Sequence, residues 1–168
     1  MAQIKKLVNS KELDDRAKIR LLNIKLDDKT AHSLMILAVT ELISVVLHDC
    51  DHIRQAINWG YSIPVSLLVL NLTVYIFPAV SIFLTKNRRW SATIVTAVGG
   101  IFTSSSFNIL HLFGSFSGLW GIWNDSYFEL GVDWISWVFL AEVTLLCLPC
   151  TCLAMYLCGR ITERSLRQ

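Results

Sequence analysis

Charge is what this sequence has least of. Only 17% of its 168 residues are Asp, Glu, Lys or Arg, against 54% hydrophobic residues, a balance that excludes an ordinary soluble domain. A cleavable signal peptide is not expected, because the first 29 residues are polar and the first apolar run starts late. There is no glycine-rich phosphate loop, no internal repeat and no low-complexity segment, so none of the function classes that rest on those features is supported. The zinc-protease HExxH pattern is also missing. A pair of cysteines at the outer side of the membrane is missing too: Cys147, Cys150, Cys152 and Cys158 crowd the inner half of the last apolar run and only Cys50 lies outside it. The CLPC motif therefore does not predict exchange of disulfides with secreted substrates. Its cysteines are read as small apolar residues, with Cys158 also a candidate for acylation.

Long apolar runs are present in their place. Four windows, 31–48, 61–85, 91–114 and 131–157, each approach or exceed the roughly 20 residues that cross a bilayer core. The expected fold class is an all-α membrane protein, a four-helix transmembrane bundle. Its domain plan is a cytoplasmic amphipathic segment over 1–29, a transmembrane domain over 30–158 and a tail over 159–168. The leading segment predicts a helix over 9–26, capped by Asn9 with Glu12 three residues on, and with Leu13, Ala17, Leu21 and Ile24 on one face. That helix suits either the anionic inner leaflet or a plain cytoplasmic lead-in.

The sparse charges orient the chain. Residues 1–29 carry a net +3, the link Lys86, Arg88 and Arg89 is +3, and the tail from Arg160 is +2, whereas 49–60 is −1 and 118–133 is −3. Basic and acidic connections alternate, so the positive-inside rule puts both termini in the cytoplasm of a multi-pass plasma (inner) membrane protein. Trp59, Tyr61, Trp120, Trp123, Trp134 and Trp137 form an aromatic belt at the outer interface, and Trp90 marks the inner one. The loop 115–130 is long enough for a lid over the outer end. Asn124-Asp-Ser126 within it matches a glycosylation acceptor, relevant only on a eukaryotic secretory route.

Polar residues recur at helical spacing inside two of the runs. From Glu41 to His48 the helix turns a net of about −20°, and from His48 to His52 about +40°, so these three line one face with Asp51 beside them. Ser104, Asn108 and His111 repeat that spacing on the third run. A mid-membrane charge facing lipid costs roughly 2.5–3.5 kcal/mol on insertion scales, so both stripes are expected to face the bundle interior. Depth counting places Glu41, Asn71 and Glu142 near the mid-plane and His48, Asp51, His52, Asn108 and His111 above them, giving a polar cavity that opens outward and ends in two carboxylates.

Imidazoles one turn apart, joined by a third from another helix, suit zinc or a non-haem iron. The candidate ligands are His48, Asp51, His52 and His111, with Asp49 or Asp51 able instead to orient a histidine. Arg54 would orient the histidines or the substrate, and Asp125 and Asp133 would close the mouth. Such a site would bind a metal or hold a small polar or lipid-headgroup substrate for acid–base chemistry. The bland alternative is an interfacial salt-bridge network of His48, Asp51, His52 and Arg54. Bis-histidine haem binding by His48 and His111 has no other support in the sequence. Two further readings stand beside these. One is a non-enzymatic subunit of a membrane complex, whose polar stripes serve helix assembly. The other is a proton-coupled carrier using Glu41 and Glu142, which with only four helices would need a second copy or a membrane partner. The bilayer itself is the expected partner, and nucleic acid is not.

The elements HDCDHIRQ (48–55), His111-Leu112, Asn124-Asp-Ser-Tyr127 and Gly131-x-Asp133-x-x-Ser136-Trp137 together resemble a group of small, uncharacterised four-helix bacterial membrane proteins carrying an HDxDHxRQ and a DSY…DxxSW element. The resemblance covers residues 48–137. It implies the architecture, and it directs interest to Asp51, Arg54, Asp125, Ser126 and Asp133 as partners of the histidines.

Overall fold

The structure is a computed structural model that describes residues 24–167. Its long helices are α1 (Asp28–Trp59), α2 (Val65–Lys86), α3 (Ser91–Phe113) and α5 (Trp134–Leu166), with a single-turn α4 (Tyr127–Leu130) between the last two. All four long helices are apolar and long enough to cross a membrane. The segment 9–23 of the expected leading helix lies outside the described residues. Residues 24–26 are not helical: Lys25 bridges to Arg89, and Leu26 N donates to Arg88 O at 2.9 Å. Helix α1 begins at Asp28, where the Asp27 side chain accepts from Thr30 N at 2.8 Å. At the other end α5 continues unbroken to Leu166, so most of the expected tail is helix.

The helices form a ring. α5 packs on α1 and α3, and α2 packs on the same two from the other side, leaving α1 and α3 facing each other across the centre. α2 is the most lipid-facing of the four. One apolar cluster (Leu34, Leu37, Ala97, Cys150, Ala154) fills the end near the chain termini, and another (Val45, Val74, Phe107, Leu140, Val143) fills the end near the histidines. Between them lies a polar layer in which the glycine pair of α3 leaves room for the α5 backbone, Phe77 of α2 and the Glu41 carboxylate of α1. A Cβ on Gly100 would stand 2.7 Å from Cys147 O and 2.8 Å from Glu41 Oε1.

The 114–133 connection folds back over the histidine end. Gly114 has φ +78°, and a Cβ there would meet Asn124 O at 2.6 Å, so only glycine fits. Ser115 N donates to Asn124 O at 2.7 Å. Asn124 spends its side chain inside the loop, donating to Gly121 O and accepting from Trp120 N, while Ser126 and Glu129 form a capping box on α4. The lid expected over 115–130 is thus a braced roof. Trp120 Nε1 donates to Ser66 Oγ at 2.9 Å and Trp123 Nε1 to Ser62 O at 3.2 Å, tying it to the start of α2.

Candidate metal centre

Three of the four histidines meet where α1 and α3 face each other. His48 and His52 stand one turn apart on α1, and His111 reaches them from the last turn of α3. His48 Nε2 lies 3.2 Å from His111 Nε2, which lies 3.3 Å from His52 Nε2. The candidate ligand atoms all fall within 4.8 Å of one another. Two nitrogens bound at 2.0–2.1 Å to one tetrahedral ion must stand about 3.3–3.4 Å apart, so the two separations from His111 match a shared zinc-like ion, as they match hydrogen bonds between the rings, while His48 and His52 need only fall within the 4.8 Å that bounds the set. The two separations do not match haem, whose two axial nitrogens on opposite faces would be about 4 Å apart.

The surroundings orient the rings. His111 Nδ1 stands 2.7 Å from Phe107 O. A carbonyl can only accept, so Nδ1 carries the proton and Nε2 presents its lone pair to the centre. The His48 ring lies 4.2 Å from the Phe107 ring, His111 meets Tyr127 edge-on at 4.4 Å, and His52 meets Trp123 at 5.6 Å. Tyr127, carried in from the roof by α4, is buried, and burial pushes its phenol up so that it stays neutral; its Oη accepts from Gln55 Nε2 at 3.4 Å.

Asp51 does not join the histidines, although it is buried beside them. Arg54 Nε donates to its Oδ1 at 2.7 Å and Gln55 Nε2 to its Oδ2 at 2.8 Å. Arg54 also holds Asp133 in a two-pronged pair at 2.7 and 2.8 Å, and Ser136 Oγ accepts from Arg54 at 2.9 Å and from Gln55 at 2.7 Å. This network ties α1 to the N-terminus of α5, where Asp133 caps Ser136 N at 3.2 Å. The Arg54 guanidinium beside Asp133 holds that carboxyl below its usual range. Asp133 therefore braces the helices and does not close the mouth. The salt-bridge reading holds for Asp51 and Arg54 but not for the histidines.

Other sequence-expected positions part company with the centre as well. Asn108 turns to α5, donating to Thr144 Oγ1 at 2.7 Å. Asn71 sits with Asp49, not with the glutamates: its Nδ2 donates to Asp49 Oδ1 at 2.7 Å, and Tyr75 Oη donates to the other oxygen. Residues 61–64 are not helical, so Asn71 lies only about 9 Å along α2 from its start. Glu142 accepts from Ser44 Oγ at 3.2 Å, and Glu41 is buried with neither oxygen partnered among the described residues. The cleft that reaches His52 and His111 is lined by neither Glu41 nor Glu142, and no hydrogen bond among the described residues joins these carboxylates to the histidines, so the expected single cavity is two separate polar sites. Asp125 is exposed and lines the edge of that cleft, which lies between α2 and α3 and has a volume of about 410 Å³. The participants that spacing alone did not reveal are Gln55, Tyr75, Phe107, Tyr127 and Ser136. Tyr75, four residues after Asn71, Gln55, four after Asp51, and Phe107, four before His111, each shared a helix face with a candidate residue.

Comparison with family models, curated proteins and solved structures finds no match to this chain.

Proposed function

We propose that this integral membrane protein binds a transition metal, zinc before iron, through Nε2 of His48, His52 and His111. It leaves one coordination position for water or a substrate oxygen. The observation that carries this reading is the meeting of three imidazoles with ligand atoms within 4.8 Å, His111 Nε2 standing 3.2 and 3.3 Å from the other two, near the spacing of ligands on a tetrahedral ion. A three-histidine ion with an open position polarises the oxygen bound there and lowers the pKa of bound water. Asp51, Arg54 and Asp133 act as positioning residues that hold α1 against α5, and His111 is oriented by Phe107 O. Both termini lie in the cytoplasm of the plasma (inner) membrane, which puts the centre at the outer leaflet, a placement supported by the alternation of basic and acidic connections.

Titration of the detergent-purified chain with Co²⁺ tests the reading. The expected result is one equivalent of cobalt with the intense visible bands of a tetrahedral ion, lost in His111→Ala. Absence of saturable binding, or binding that survives His111→Ala unchanged, overturns it. A second reading, proton-coupled transport, draws on one observation alone, the Glu41 carboxylate buried without a partner among the described residues. That reading concerns a different site and does not compete for the histidines.

A further inference from the structure

We propose that the cleft between α2 and α3 holds the hydrocarbon chain of a membrane lipid, which enters sideways from the bilayer and presents its headgroup to the histidine centre. The identity of the headgroup site rests on the metal reading above; the chain site does not.

The cleft volume of about 410 Å³ falls within the range of small-molecule sites. Its walls are built from Leu67, Val74, Phe107 and Leu110, and its polar features gather toward the histidine end, where His52, His111, Asp49, Asn71 and Asp125 line it. The doorway decides what can enter. Leu68, Phe102 and Ile109 line the cleft and are 47%, 39% and 48% exposed, and all three belong to helices that cross the membrane. Their exposed faces therefore meet lipid chains, and the opening between them admits an apolar chain more readily than a hydrated solute. Trp120 and Trp123, anchored to Ser66 and Ser62, roof the cleft on the water side.

Length agrees with this occupant. From Phe102 to His111 the wall runs nine residues of helix, about 14 Å, close to half of the roughly 30 Å hydrocarbon core. A chain lying along it would span one leaflet, with its polar end level with His52 and His111. The His52 Nδ1 is buried without a partner among the described residues. A headgroup oxygen or hydroxyl at that end would supply one.

The test is photo-crosslinking in vesicles of phosphatidylethanolamine and phosphatidylglycerol doped with a phosphatidylethanolamine carrying a mid-chain diazirine. Adducts are mapped by peptide mass spectrometry, and bound metal is measured on the same samples. Val74 and Phe107 are each 4% exposed, whereas Val69 on the outer face of α2 is 60% exposed. The expected result is labelling of Val74 and Phe107 at a level comparable to Val69. A Val74→Trp variant should lower Phe107 labelling at least fivefold and leave Val69 labelling and metal content unchanged; Leu67→Trp serves if that variant does not insert. Labelling confined to Val69 and other lipid-facing positions overturns the proposal, with a water-borne polar substrate then the remaining source of ligand. Cleft labelling without any bound metal would instead retain the chain site and refute the metal centre, so the two failures are distinguishable.

Discussion

Removing the Arg54 side chain tests the brace that sets the histidines in place. Arg54 bonds three partners: Asp133 twice, Asp51 once and Ser136 once. The Asp133 pair is partly exposed and on that ground is worth at most about 1 kcal/mol. Asp51 is different, being 1% exposed. Arg54→Ala leaves its carboxylate with Gln55 as the remaining side-chain donor, and stripping the partner from a buried charge costs about 3–5 kcal/mol. Some of this is recovered by water reaching the vacated space, so a loss of about 3 kcal/mol is expected. A double-mutant cycle with Asp51→Asn separates the contributions. With the buried charge gone, Arg54→Ala should cost only about 1 kcal/mol, the value of the exposed pair. The assay is reversible unfolding in mixed micelles, followed by tryptophan fluorescence and helical circular dichroism. A cost below 1 kcal/mol for Arg54→Ala, or the same cost with and without Asp51→Asn, would refute the reasoning.

Other outcomes follow from the same geometry. Gly100→Ala should destabilise the bundle by about 1–3 kcal/mol in the same assay, because the new methyl must displace Cys147 O, Glu41 or a whole helix. Glu41→Gln should change stability by less than about 1 kcal/mol, since Glu41 has no hydrogen bond to lose among the described residues; loss of proton flux into dye-loaded vesicles in that variant would support the carrier reading, and unchanged flux would remove it. The Asp133 carboxyl is held below its usual range chiefly by Arg54. Its contribution is therefore fully present above the ordinary aspartate pKa and is lost as pH falls through the lower folded value. Stability attributable to Asp133 should accordingly be constant from pH 7 to 5 and fall only in acid below the ordinary value, a dependence that Asp133→Asn removes.

Much of this arrangement was legible in the residues. The windows 91–114 and 61–85 match α3 and α2 to within a few positions, because lipid demands uninterrupted apolar helix. The first window stopped at His48 while α1 runs to Trp59. Hydropathy ended there because His48–Gln55 is polar, yet those side chains turn inward and the helix continues. Seven- and four-residue spacing correctly put His48 and His52 on one face, and His111 meets them. The same spacing could not say which neighbour lies beside a given face. Asp51 sits about 60° from His48 around α1, and Asn108 about 60° from His111 around α3; Asn108 thereby meets Thr144 of α5, and Asp51 meets Arg54 and Gln55 of its own helix, which reach Ser136 of α5. The ring order of the helices decides this, and periodicity carries no information about ring order. Tyr127 stood in the DSY element, but its approach to the histidines was not readable there, because it depends on Gly114 and the capped turn at Ser126, which fold a loop back into the bundle.

The most direct test of the metal centre is elemental mass spectrometry on the chain purified in mild detergent, beside a His48→Ala/His52→Ala double variant. The expected result is near-stoichiometric zinc or iron in the wild type and none in the variant, with both chains inserted and helical. A metal-free wild type that takes up no added zinc, or a variant that keeps its metal, would contradict the assignment of His48, His52 and His111 as a metal site.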